Sequence, residues 1–180
     1  GEAVGRPIRL IDHEGAGAIV AARDWDVAFI AVDPVRATTI HFTESYLTIE
    51  ATYAVATNAP FESVAEVDRE GVRIASSQGG AYDLELRRTL RFATLESLVG
   101  PAASSAAFAA GGYDALAGIR PVLDGFVAEH QGFRVLADSF HIVRQAVATH
   151  ADRPAAAALL DRFVGQGLSD GSFAKAVAAR

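Results

Sequence analysis

Arg36 is where ligand chemistry would begin. It stands just past Asp33-Pro34, at the end of an unbroken apolar run from Val27 to Val32. That run is short and rich in β-branched and aromatic residues, as expected of a strand buried on both faces. Proline ends the strand because it has no N–H for the ladder. A guanidinium at the carboxyl end of a buried strand lies on the edge where open α/β sheets bind ligands. Its planar fork of donors matches a carboxylate or a phosphate.

A second candidate is Ser76-Ser77-Gln78-Gly79-Gly80, between a strand-like and a helix-like segment. Two glycines there expose backbone N–H groups at a helix start, which suits an anion, although Gly-Gly also simply meets the needs of a tight turn. Arg120, in the loop from Ala117 to Pro121, is either a second cation for the ligand or a surface arginine at a helix start. Glu50 and Tyr46 lie on a long β-rich run. Glu50 either faces a cleft or is a solvated strand residue. Phe29 and Trp25 either wall a ligand or belong to the core, the commoner place for such rings.

Other chemistries find little support. The five histidines show no i, i+4 pairing and no nearby carboxylate at a metal-binding spacing, so no metal site is expected. The chain contains no Gly-x-Ser-x-Gly elbow, phosphate-binding P-loop or His-Glu-x-x-His. Ser104 and Ser105 sit in an Ala-rich helix where packing accounts for them. There are no cysteines, which excludes disulfides and thiolate metal sites. The formal charge of −6 argues against nucleic acid. No apolar run approaches the roughly 20 residues of a membrane span. Methionine is absent, so Gly1 is expected not to be the natural start of translation, and a removed leader stays open.

The elements that would position these residues follow from periodicity. Pro7–Ile11 alternates like a strand, 15–22 reads as a small helix and 27–32 as the next strand, a βαβ rhythm that favours parallel pairing. A long β-run covers 46–55, and Asn58-Ala59-Pro60 ends it. Ser63 to Glu66 has the spacing of a capping box. Then come a strand at 71–75, a helix from about Ala81 to Phe92, a helix from Pro101 to Gly111-Gly112, a strand at 113–117, a helix from about Arg120 to Gly132 and a strand at 133–136. A second long β-run over 140–149 is the natural return crossing. A helix from Asp152-Arg153-Pro154 to Gly165, and another from Asp170, close the chain.

The series Trp25-Asp-Val-Ala28, Arg36, then Ile40-His-Phe-Thr-Glu-Ser-Tyr46 resembles the type II periplasmic solute-binding proteins of ABC importers, in the amino-acid-binding branch (bacterial extracellular solute-binding family 3). The likeness runs from about Pro7 to the C-terminus. It implies an α/β fold of two Rossmann-like lobes joined by two hinge crossings, with lobe 1 taking 1–48 and 145–180 and lobe 2 taking 49–144. It implies that Arg36 grips a ligand carboxylate, that the Gln78–Gly80 loop, next to Ser77, donates backbone hydrogen bonds, and that the protein works in the periplasm with an ABC permease, without cofactor or catalysis.

Two departures qualify that implication. Where the family places an aspartate for the ligand's ammonium, this chain has Ile119, and an apolar residue cannot compensate a buried cation. The expected solute is therefore anionic and not a standard α-amino acid, with Arg36 and Arg120 at its two ends. Further, only Gly1–Arg6 precede the segment that resembles the family's second strand, so lobe 1 is expected to lack its first strand and helix and to associate as a homodimer through that shortened sheet. Two other readings stay open: a non-transport structural or sensory relative, and a dehydratase-like lyase with Glu50 as acid or base.

Overall fold

The computed structural model describes residues 7–13 and 15–178. Its spine is a pair of long antiparallel strands, β2 (Ile40–Ala56) and β7 (His141–His150), in register from Ile40↔His150 to Ala51↔His141. β2 is dense in Thr, Tyr, Ile and Val, which suits a pleated, half-buried surface. Its register shifts on both sides of Ser45. The Ser45 hydroxyl there has the carbonyls of Leu47 and Gln145 both within reach, at 3.0 and 2.9 Å, and its one proton serves either of them where a bulge leaves polar groups open.

One sheet grows from this spine, in the order β1 (Ala28–Ala31), β7, β2, β5 (Ala115–Ile119), β3 (Arg73–Ser77), β4 (Thr94–Leu98), with β6 (Phe133–Val135) also against β2. Strands β3 (Arg73–Ser77), β4 (Thr94–Leu98) and β5 (Ala115–Ile119) run parallel to one another. The connections between them are α2 (Ala81–Thr89) and α3 (Pro101–Ala109), and α4 (Arg120–Glu129) follows β5. At the other end lie α1 (Ala16–Ala21), β1 (Ala28–Ala31), α5 (Pro154–Ser169) and α6 (Ser172–Ala178).

Each end has its own core. Trp25, Ile30, Ile40 and Ala148 cluster at one, with Val147, Leu160 and Val164 close by. Tyr53, Ile74, Leu86 and Leu136 cluster at the other, beside a second group around Phe108, Leu116 and Phe126. A small group of Ala31, Ala51, Ala81 and Val143 lies between the two ends. We propose that the expected lobe boundaries, 48/49 and 144/145, fall across that group.

Several expectations are corrected. Pro7–Ile11 is not a strand, and Ile8 and Leu10 are exposed: alternation alone makes no strand where no neighbour offers a ladder. β1 pairs antiparallel with β7 rather than parallel to a preceding strand. The half-buried strand β4 went unanticipated, because its polar Thr94, Glu96 and Ser97 hide the apolar signal. Helix α2 stops at Thr89 instead of Phe92, since the Asp68 carboxylate accepts the N–H groups of Arg91, Phe92 and Ala93 and draws them out of helical geometry. Helix α5 continues through Gly165 to Ser169. The capping box does form, with Glu66 accepting the Ser63 N–H.

Gly167 explains why α5 tolerates a glycine there. A Cβ at that position would lie 2.5 Å from the Phe173 ring, which is itself stacked on Tyr46. Gly167→Val should lower unfolding free energy by about 1–3 kcal/mol through overpacking. Gly165→Ala, with open space around it, should raise it by roughly 0.5–1 kcal/mol. Urea denaturation of both variants checks the pair.

Candidate functional site

Beyond β1 the Asp33 carboxylate accepts the N–H groups of Val35 at 2.9 Å and Arg36 at 3.3 Å. This side-chain-to-backbone turn is what Asp does best, and it reverses the chain so that Arg36 reaches back over the strand it follows. Arg36 Nη1 donates to the Ala31 carbonyl at 2.7 Å and Nη2 to the Gly79 carbonyl at 2.5 Å. The side chain is only 3% exposed. Burial lowers its proton affinity, against the opposing charge of Asp33, yet an arginine stays cationic. Of its five N–H donors, two are thus occupied, by one carbonyl from each lobe.

The Gly79 side is equally constrained. Gly79 has φ +72°, a left-handed conformation that glycine adopts without strain. Its N–H donates to Asp83 Oδ2 at 3.0 Å, and Asp83, 1% exposed, also accepts from Arg87 and Ser97. A Cβ on Gly79 would sit 3.5 Å from the backbone of Gly17, so bare backbone meets bare backbone across the lobes. The Gln78 N–H goes to Leu98 and the Gly80 N–H to Ser77. The loop expected to donate three hydrogen bonds to a ligand has therefore already placed all three, and it presents a carbonyl instead. The open donors are one step on: the first-turn N–H groups of α2, which no intrahelical carbonyl can reach and which have no side-chain cap.

Between these surfaces lies a cleft of about 300 Å³. Phe29, Ile30, Tyr82, Ile119 and Val143 supply apolar walls, and Arg36 and Gln145 the polar side chains. Gly80 and Ala81 bring the start of α2 to the same surface. Among the described residues no Asp or Glu lines it. Burial raises the Tyr82 phenol above its ordinary value, opposed by its hydrogen bond with Ser77, so it stays a neutral donor.

The sequence-predicted residues divide. Arg36, Phe29 and Gly80 line the cleft, and Gly79 meets Arg36. Arg120 does not line it. Its Nε donates to Glu50 at 2.5 Å, and its two other nitrogens donate to the carbonyls of Leu136, Ala137 and Asp138, because a fork at the start of α4 is close to the segment leading into β7. Glu50 is held there by the same pair, outside the cleft lining. Tyr46 stacks on Phe173 and meets Phe29 edge-on. Ser77 is buried and hydrogen-bonded with Tyr82, Gln78 is exposed, and Trp25 is core. Missed altogether were Gln145, Tyr82 and Asp33. Gln145 had a signal: it is a polar residue between Val143 and Val147 on one face of an alternating run.

No protein-family model matches the chain, and no curated protein does. Solved structures do match. One from Wolinella succinogenes, a putative ABC transporter binding component complexed with lysine, superposes at TM-score 0.81 with 18% identity, covering 97% of this chain and 78% of that one. A mutant of ArgBP from T. maritima gives 0.79 and 13%, covering 96% and 76%. The ancestral amino acid-binding protein AncCDT-1, a precursor of cyclohexadienyl dehydratase, gives 0.79 and 18%, covering 97% and 78%. At such identities the likeness shows the fold, that of type II periplasmic binding proteins.

Asp33 carries the pH dependence of this corner. Burial would raise its carboxyl, but hydrogen bonds from Arg88 and from the Val35 and Arg36 N–H groups outweigh that and hold it below its ordinary 3.8. A depressed carboxyl contributes stability above its unfolded value and loses it as pH falls through the folded one. Denaturant titrations should show stability dropping below about pH 4, with a shallower drop in Asp33→Asn.

Proposed function

We propose that the chain captures a small monocarboxylate with an apolar body between its lobes, as the binding component of an ABC importer working in the periplasm. The observation that carries this reading is the lining of the cleft: one desolvated guanidinium with donors to spare, open N–H groups at the start of α2, and apolar walls. A carboxylate fills both donor sets. An ammonium finds no carboxylate among the described lining residues, and an unpaired buried cation is costly. One similar structure is complexed with lysine, which favours an amino acid as the competing solute. Ile119 at the cleft wall argues the other way.

Self-association belongs to the same proposal. β1 pairs with β7 alone among the described residues; Val27, just before it, and Phe29, within it, are 45% and 65% exposed. An edge with unpaired backbone groups and apolar neighbours invites another strand.

A thermal-shift and calorimetric screen should find monocarboxylates that raise Tm by mass action, while lysine, arginine and glutamine leave it unmoved. Arg36→Met should weaken that binding by about 2–5 kcal/mol, as loss of one partner of a buried charge pair does. Tight binding of an α-amino acid would refute the monocarboxylate reading. Sedimentation velocity should show masses above one chain as concentration rises; a single-chain mass throughout removes the association.

A further inference from the structure

Asp33 uses its two oxygens for different purposes. Oδ1 accepts the Val35 and Arg36 N–H groups within its own loop. Oδ2 accepts Arg88 Nη1 at 2.9 Å, and Arg88 belongs to α2, in the opposite lobe. The same carboxylate that fixes the backbone of Arg36 therefore also grips the far side of the cleft.

We propose that the Asp33–Arg88 pair is a reversible latch between the lobes, with Asp33 and Arg88 acting as positioning residues that hold the cleft closed around Arg36. The proposal rests on the reading of the cleft as a solute site. What marks the pair as a latch and not a structural tie is that neither partner depends on it. Arg88 Nη2 donates to Glu85 at 2.8 Å within its own helix, so an open cleft leaves the guanidinium paired. Asp33 keeps its two backbone donors on Oδ1, and Oδ2 alone has to exchange Arg88 for water when the cleft opens. Breaking a buried ion pair normally strands a charge; here Arg88 keeps Glu85 and Asp33 keeps its two backbone donors on Oδ1.

Arg36 follows the same pattern, retaining Ala31 within its lobe when Gly79 is released. Around these hydrogen bonds the packing is weakly directional: Ala31 shares an apolar cluster with Ala81 and Tyr82, and Gly79 lies against Gly17. Small apolar contacts of this kind separate easily, so the ion pair supplies the geometric specificity of closure. The Arg88 side chain is 39% exposed, which makes the latch accessible to salt.

Because the chain has no cysteine, Ala102→Cys in α3 and Arg162→Cys in α5 can carry spin labels without background. In the absence of any solute, Arg88→Gln should lengthen and broaden the distance between them, 1 M NaCl should do the same to the parent, and Arg88→Lys should restore part of the closure. Glu85→Ala, which removes Arg88's competing partner, should leave the lobes at least as closed as in the parent. Carboxylate affinity in Arg88→Gln should fall about 5- to 20-fold, mainly through faster release. Distances that ignore both Arg88→Gln and salt would overturn the latch. If distances respond but no acid binds, the latch stands and the solute reading falls; if acids bind with unchanged affinity in Arg88→Gln and unchanged distances, the reverse holds.

Discussion

A guanidinium leaves water only if acceptors replace the water it loses, and the cleft is built around that requirement at Arg36. Its acceptors come from two chain segments that the fold must bring together: the carbonyl at the end of β1 and the carbonyl of Gly79. The first is guaranteed locally, by the turn that Asp33 imposes. The second is not. It requires a glycine with positive φ, an Asp83 that receives the Gly79 N–H, and Ser97 and Arg87 to keep that buried carboxylate satisfied. A single cation thus accounts for an otherwise unremarked set of polar residues on two loops and a helix.

The lobes that carry those loops share two crossing strands, so movement between them is bending of a paired ribbon and not rotation about a free linker. The braces on the ribbon sit on its lobe 2 side. Arg120 ties Glu50 of β2 to the carbonyls just before β7, and the Thr52 hydroxyl donates to Asp138 in the same segment. These groups stabilise the crossing and leave the cleft to Arg36. That division of labour explains why two arginines that look alike in sequence serve different ends: one has unclaimed donors in an apolar cleft, the other has every nitrogen committed to neighbouring acceptors.

The fold is shared with solved amino-acid-binding proteins, but a fold hosts many sites and function resides in the lining. Here Ile119, Val143 and Phe29 make that lining apolar, and Gln145 is its neutral polar member. The lining carries one positive charge, that of Arg36, and no Asp or Glu among the described residues; the opposing charge of Asp33 lies outside the lining.

Local order was legible in the residues themselves. The two long β-runs, the Pro34 break, the capping box of Ser63 and Glu66 and most helices follow from short-range rules: periodicity, the missing proline N–H and side-chain reach over a few residues. Arg36 was legible for the same reason, since its place just past a buried strand is set by its neighbours. What stayed hidden depended on partners far away in sequence. Nothing near Arg120 announces that Glu50 and the 136–138 carbonyls will surround it, nothing near Gln78 to Gly80 shows their N–H groups already taken, and Pro7–Ile11 alternates without a neighbour to pair with. The sequence by itself settled which groups are present and how each short segment is shaped. Only the tertiary structure decided which of those groups remain unsatisfied and face the cleft, because a hydrogen-bonding group is free or occupied according to what packs beside it, not according to what precedes it in the chain.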